Sequence, residues 1–204
     1  SIGDFHRTIS ALYLASLKNE RLLQQTALPP FDPIIIKGNV RHLRPTLFDL
    51  LAQRALDYFR NDEQTITQPA YRFEIADPAA LAPPATFIHH TFSTRDTLSH
   101  DYQALQLLKK ILQFHLNDPQ PDALVDADIQ RLQFAYDKAV FANKNELYRQ
   151  ALQQLISRYG NLPAAAQAGY LLAQQHVLQA QEYDPQKGEA NRYEYIQAKK
   201  ICEQ

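Results

Sequence analysis

Asn143-Lys144-Asn145-Glu146-Leu147-Tyr148-Arg149-Gln150-Ala151-Leu152-Gln153-Gln154-Leu155-Ile156-Ser157-Arg158-Tyr159-Gly160-Asn161-Leu162-Pro163 is the stretch that decides the fold. Asn143 is a strong N-cap residue, and Glu146 three positions later completes a capping-box pattern. Leu147, Ala151, Leu155 and Tyr159 follow at four-residue steps, which is one face of an α-helix. Gly160-Asn161 predicts a left-handed C-terminal cap. Pro163 opens a second helix, predicted to run to about Tyr183, where Asp184-Pro185 breaks it.

Internal periodicity is the decisive test for a chain of paired helices. Ala151, then Leu155, then Pro163 at a helix boundary resembles the second half of a tetratricopeptide repeat. Leu172, Ala173 and His176 resemble its first half, with a histidine where an aromatic residue is usual. A polar loop over 184–191 leads to a last helix carrying Tyr195, Ala198, Ile201 and Cys202. Ala198 and Cys202 repeat the small-then-apolar spacing. The link before this helix is about thirteen residues longer than the ~34-residue period allows. Small side chains let two helices approach closely while larger ones fill the gap between them.

The N-terminal half is predicted helical without a visible repeat. A first helix spans about Asp4 to Gln25, with Phe5, Ile9, Leu12, Tyr13, Leu17 and Leu23 on its face, and Pro29-Pro30 ends it. Ile34-Ile35-Ile36 before Gly38-Asn39 suggests a short extended piece and a turn. A second helix follows Pro45, with Thr46 as N-cap, Asp49 in the capping-box place, and Asn61-Asp62 at its end. Residues 62–96 form a proline-rich insertion. Tyr71 to Ile75 alternates as a half-buried strand would, and Phe87 to Phe92 suggests a second extended piece. The aromatic residues of this insertion should pack on the helices. A third helix spans about Ser99 to Leu116, and a fourth about Pro121 to Phe141 with Leu124, Ile129, Leu132, Tyr136 and Val140 apolar.

Composition agrees with helices. The 204 residues contain only five glycines but 22 glutamines; few glycines means few tight hairpins, and glutamine is a good helix former. At 45 % apolar residues the chain can bury a sizeable core. Basic and acidic side chains number 21 and 22, which gives no basic face for nucleic acid and no polybasic run for an acidic membrane. No apolar run approaches the ~20 residues of a membrane span, and no charged region followed by an apolar core opens the segment, so no signal peptide is expected within it. One cysteine, Cys202, leaves the redox compartment open. Methionine is absent and both ends lie in helix-like sequence, so the chain is expected to be a piece of a longer protein.

No catalytic centre is expected. Gly-x-Gly-x-x-Gly, Walker and Gly-x-Ser-x-Gly motifs are missing. His89, His90 and His100 are the residues a metal or hydrolytic site would use, but their spacing fits no zinc signature. Asp122, Asp126 and Asp128 stand near the start of the fourth helix, where acids favour the positive end of the helix dipole. Cys202 is expected to be a buried small apolar residue rather than a nucleophile. Arg41, His42 and Arg44 are the candidate partner-contact residues, able to grip an anion or a carboxylate. In the plainer reading, which ranks ahead, they cap carbonyls or sit in water.

Arg41-His42-Leu43-Arg44-Pro45-Thr46-Leu47-Phe48-Asp49-Leu50-Leu51-Ala52-Gln53-Arg54-Ala55-Leu56-Asp57-Tyr58-Phe59 resembles a helical segment of very large bacterial alpha-2-macroglobulin-like proteins. Asp126 to Leu132 and Asn143 to Tyr148 are similar to later parts of that region. The resemblance implies an exported, envelope-associated parent protein, periplasmic or surface-exposed, that traps proteases or guards the envelope. The family's thioester needs Cys-x-Glu-Gln; Cys202-Glu203-Gln204 lacks the intervening residue, so that chemistry does not carry over.

The expectation is therefore an all-α module with two parts: residues 1–120 with the insertion, and residues 121–204 as tetratricopeptide-like hairpins. It would be a non-enzymatic scaffold without metal or cofactor, facing other domains of the same long chain or another protein. A free-standing adaptor for a peptide or protein is the first rival, and a hydrolase with a site in 62–100 the second. Far-ultraviolet circular dichroism should show well over half helix; a β-dominated spectrum would refute the fold reading.

Overall fold

The computed structural model describes residues 2–61 and 70–203. Asp62, the start of the insertion through Pro69, and Gln204 lie outside the described residues. Nine α-helices make the fold all-α, and no strand occurs among the described residues. They are α1 (Ile2–Ser16), α2 (Glu20–Gln25), α3 (Leu47–Phe59), α4 (Pro84–Phe87), α5 (His100–His115), α6 (Asp122–Lys138), α7 (Lys144–Tyr159), α8 (Ala166–Gln181) and α9 (Glu194–Cys202). From α5 onward each helix packs on the next, and α3 packs on α5 while receiving α1 and α2.

Helix α6 is the axis of the molecule. It is buried over most of its circumference, including Leu124, Val125, Ile129, Leu132 and Phe134. Only a narrow polar stripe of Asp122, Asp126, Gln130, Gln133 and Asp137 is less covered, because the helix has neighbours on several sides: α5, α7, and the short 3-10 turns at 41–43, 78–81 and 163–165. Alanines 52 and 55 of α3, 104 of α5 and 135 of α6 are almost fully covered, as close helix approach requires.

The capping box at α3 forms as the sequence expects. Asp49 N–H donates to Thr46 Oγ1 at 3.3 Å, and Thr46 N–H donates to Asp49 Oδ2 at 2.9 Å. The box at α7 does not form. Asn143 makes no side-chain cap, and Glu146 binds Arg149 and Gln150 instead. Gly160 is right-handed at φ −60°, so no left-handed cap exists there. Glycine is required by crowding, because an added Cβ would sit 2.6 Å from the Ile156 carbonyl oxygen. Positive φ occurs instead in the loop before α9, at Gly188 and Asn191.

Other expectations are corrected. The first predicted helix is two helices, because Asn19 leaves helical backbone (φ −90°, ψ 50°) while Leu17 turns into the core. Ile9, Tyr13 and Leu23 pack on the core, but Phe5 and Leu12 stand in water. Ile34 and Ile36 are likewise exposed; Ile34 lies in a turn and Ile35 in a bend, and no strand forms there. Burial alternates only from Arg72 to Ile75, with Phe73 half-buried and Ile75 buried between exposed Arg72 and Glu74, while Tyr71, in the same phase as Ile75, is exposed. The segment lacks a partner strand, without which a strand cannot form a ladder; its one bridge joins Ile75 to Ala139 at the end of α6. Phe87 to Phe92 is not extended: Pro84 opens α4, turns follow, and Phe87 and Phe92 are both buried with rings 5.7 Å apart. Helix α6 ends at Lys138, leaving Val140 exposed. In α9 Ala198 is buried, but Tyr195 and Cys202 are exposed; this helix packs on α8.

His115 locks three elements together. It is 2 % exposed, at the end of α5. Its Nε2 lies 2.8 Å from Asp49 Oδ1 in the first turn of α3, and its Nδ1 lies 2.7 Å from Asp118 Oδ2 before α6. Carboxylates only accept, so both ring nitrogens must donate and the ring is an imidazolium. Burial alone would pull its pKa down; the hydrogen bonds and charges of Asp49 and Asp118 outweigh burial and hold it above the ordinary value. Asp49, in the first turn of α3, and His115, in the last turn of α5, also sit at the favourable ends of their helix dipoles.

The sign of the pH dependence follows. A raised folded-state pKa gives stability that is complete below the unfolded value of about 6.5 and is lost as pH rises through the folded value. His100 acts oppositely, since burial and then the nearby His6 lower its pKa. Comparison with His115→Gln therefore isolates the lock. In urea unfolding the parent chain should exceed the variant by about 2–4 kcal/mol near pH 6, with the gap narrowing steadily into alkaline buffer. A gap that widens with pH would contradict the assignment.

Candidate functional site

The candidate partner contacts are placed apart and largely engaged. Arg41 binds Asp32, whose carboxyl it holds below the usual range. Arg44 Nη2 lies 3.4 Å from Asp126 Oδ2, which ties the segment before α3 to α6. His42 is exposed. These three do not converge on a common point: two arginines serve carboxylates of their own chain.

The histidines do not assemble either. His89 is exposed. His90 stacks edge-on with Phe92, and Asp77 Oδ2 lies 2.8 Å from its Nε2 but out of line for a hydrogen bond. His100 faces the other way, between Tyr58, Phe59 and Ser10. Among the described residues no group of three His, Cys, Asp or Glu side chains could hold a metal ion.

The three aspartates of α6 also part company. Asp122 sits in its first turn, Asp126 meets Arg44 and Gln130, and Asp128 is buried. The partner of Asp128 is Arg131, one of the largest fully buried side chains of the molecule at 1 % exposure. Arg131 Nε and Nη2 both donate to Asp128 Oδ1, the former at 3.0 Å. Nη1 donates to the Ala80 carbonyl at 2.7 Å, and the guanidinium lies over the Phe87 ring at 4.8 Å. Burial pushes the Asp128 carboxyl above the usual carboxylate range, against the pull of Arg131. The pair thus fastens α6 to both short turns of the insertion, 78–81 and α4.

Above this pair lies a cleft of about 330 Å³, at the small end of the range for ligand pockets. One wall is Ala82, Pro83, Pro84 and Ala85; the opposite wall is Ala151, Leu155 and Tyr159 of α7; Leu124, Val125 and the ion pair form the floor. The proline wall is apolar for a backbone reason as well. Pro83 and Pro84 carry no N–H, and their carbonyls accept from Thr86, Phe87 and Ile88. Arg158 stands exposed at the mouth, its guanidinium 5.2 Å from the Tyr159 ring.

Sequence reasoning passed over this site, yet a signal was there. Asp128 and Arg131 stand at four- and three-residue steps between Leu124 and Ala135, in phase with the buried face of α6. A charged pair in an apolar phase marks a buried, mutually satisfied pair. The cleft itself had no local signal, since its walls are far apart in sequence. No family model matches the chain, and neither a curated protein nor a solved structure matches it.

Arg131→Met should cost about 3–5 kcal/mol in urea unfolding, because it leaves Asp128 buried without its cation. Adding Asp128→Leu should return part of that loss. A second substitution that merely adds its own penalty would contradict the pairing.

Proposed function

We propose that the chain is a non-catalytic interaction or scaffolding module of tetratricopeptide-like hairpins, within a large exported alpha-2-macroglobulin-like protein of the bacterial envelope. What supports a docking role is the unspent apolar surface at both ends of the helix succession. Phe5, Leu12 and Leu22 are exposed on α1 and α2; Tyr170 and Leu178 on α8, with Tyr193, Tyr195 and Ile196 beside or on α9. Such exposed apolar residues on helices, together with Ile34, Ile36 and Val40 between α2 and α3, suit contact with neighbouring units. The partners in this reading are other domains of the same long chain, or another protein.

The hairpin reading draws on α8 and α9. Ala168 and Ala173 on α8 and Ala198 on α9 are buried, and a Cβ on Gly169 would reach ordinary contact with Ile201. Small residues on both helices permit the close approach that tetratricopeptide pairs use. His176 Nδ1 meets Glu194 Oε2 at 2.5 Å across the stretched link. The envelope and macroglobulin context rests on the string from Arg41 to Phe59 and its two companions.

Reading the coding frame beyond Gln204 tests the context. Continuation for many hundreds of residues into β-sandwich domains is the expected result. A stop codon immediately after Gln204 would remove the macroglobulin reading and leave the free-standing adaptor in its place.

A further inference from the structure

We infer that the cleft between the proline wall and α7 is a binding site for a small organic monocarboxylate with an apolar body. Three observations carry this. Pro83, Pro84, Ala151 and Leu155 line it with side chains that make no hydrogen bonds, alongside the exposed amides of Asn117 and Gln154, so the body of the ligand is mainly apolar. The floor charges cancel, because Asp128 and Arg131 are spent on each other and on the Ala80 carbonyl. That leaves Arg158 at the mouth as the lining charge without an ion-pair partner among the described residues.

Arg158 is also held in place. Its guanidinium packs on the Tyr159 ring, which shields one face and leaves the N–H edge for a ligand. A guanidinium edge matches a carboxylate by two parallel charge-assisted hydrogen bonds. A neutral head group would lose that match, and a cation would be repelled. The volume of about 330 Å³ suits one short acyl chain or one aromatic ring rather than a long lipid. The apolar body would lie between Pro83 and Leu155, with the carboxylate outward on Arg158. The occupant is a free acid: a volume of about 330 Å³ has room for one small group rather than an extended chain.

Octanoate and its neutral amide, octanamide, are the probes. Titration of the labelled full chain by nitrogen–proton correlation spectroscopy should give one saturable site for octanoate. Shifts should centre on the amides of Ala82, Ala85, 124–131 and 151–159. Octanamide should bind about tenfold more weakly, the loss of one charge-assisted contact. Arg158→Gln should bring octanoate down to the octanamide level without changing the circular dichroism spectrum. Ala151→Phe, which fills the cleft, should abolish binding of both. Equal affinity for the two probes would overturn the assignment, as would undiminished octanoate binding by Arg158→Gln. Shifts concentrated on the exposed apolar residues of α1 and α9 would overturn it too, as generic adsorption. So would tighter binding at the same amides by a leucine-terminated tripeptide, which would make the occupant a chain end.

Discussion

Arg131 inside α6 is the constraint on which the rest of this molecule depends. A guanidinium with almost no water around it must find all its compensation in the protein. It finds a carboxylate one turn back, a carbonyl from the 78–81 turn, and the face of Phe87. Each partner belongs to a different kind of element: a helix, a loop, and a four-residue helix begun by prolines. Meeting all three at once leaves the insertion one way to lie. The cleft is a consequence, since its proline wall is the segment that Arg131 pins down.

His115 does the same work on the opposite flank. It joins the first turn of α3, the last turn of α5 and the turn before α6 through two carboxylates. Arg44 with Asp126 adds a third, more exposed tie from the segment before α3 to α6. A division of labour emerges. Helices are held to helices by apolar stripes and alanine contacts, which are strong but non-directional. Irregular segments have no periodic stripe, so directional hydrogen bonds and ion pairs set their position. The buried charges His115, Asp49 and Arg131 accordingly tie helices to the segments that join them.

Much of this was legible in the chain. The five long helices from α3 to α8 carry apolar residues at three- and four-residue steps, and Thr46 with Asp49 announced a cap that formed. Where structure and local pattern differ, the cause is shared: the pattern lacks the neighbour it needs. Tyr71 to Ile75 had the alternation of a strand but no second strand. Asn143 and Glu146 had the spacing of a box, yet Arg149 and Gln150 offered Glu146 nearer partners. Gly160 looked like a left-handed cap and proved to be a place where a Cβ does not fit. Phe5, Leu12, Val140 and Cys202 had the right phase for burial but nothing across from them.

The sequence by itself determined the helices, their order and most of their inward faces, because these depend on contacts within three or four residues. It also placed Asp128, Arg131 and His115 in phase with apolar faces, which implies burial. Only the tertiary structure decided what those buried charges would meet, since Ala80, Asp49 and Asp118 come from other elements. The cleft and the position of Arg158 at its mouth were decided there too. A cavity is a gap between segments distant in the chain, and no local spacing encodes it.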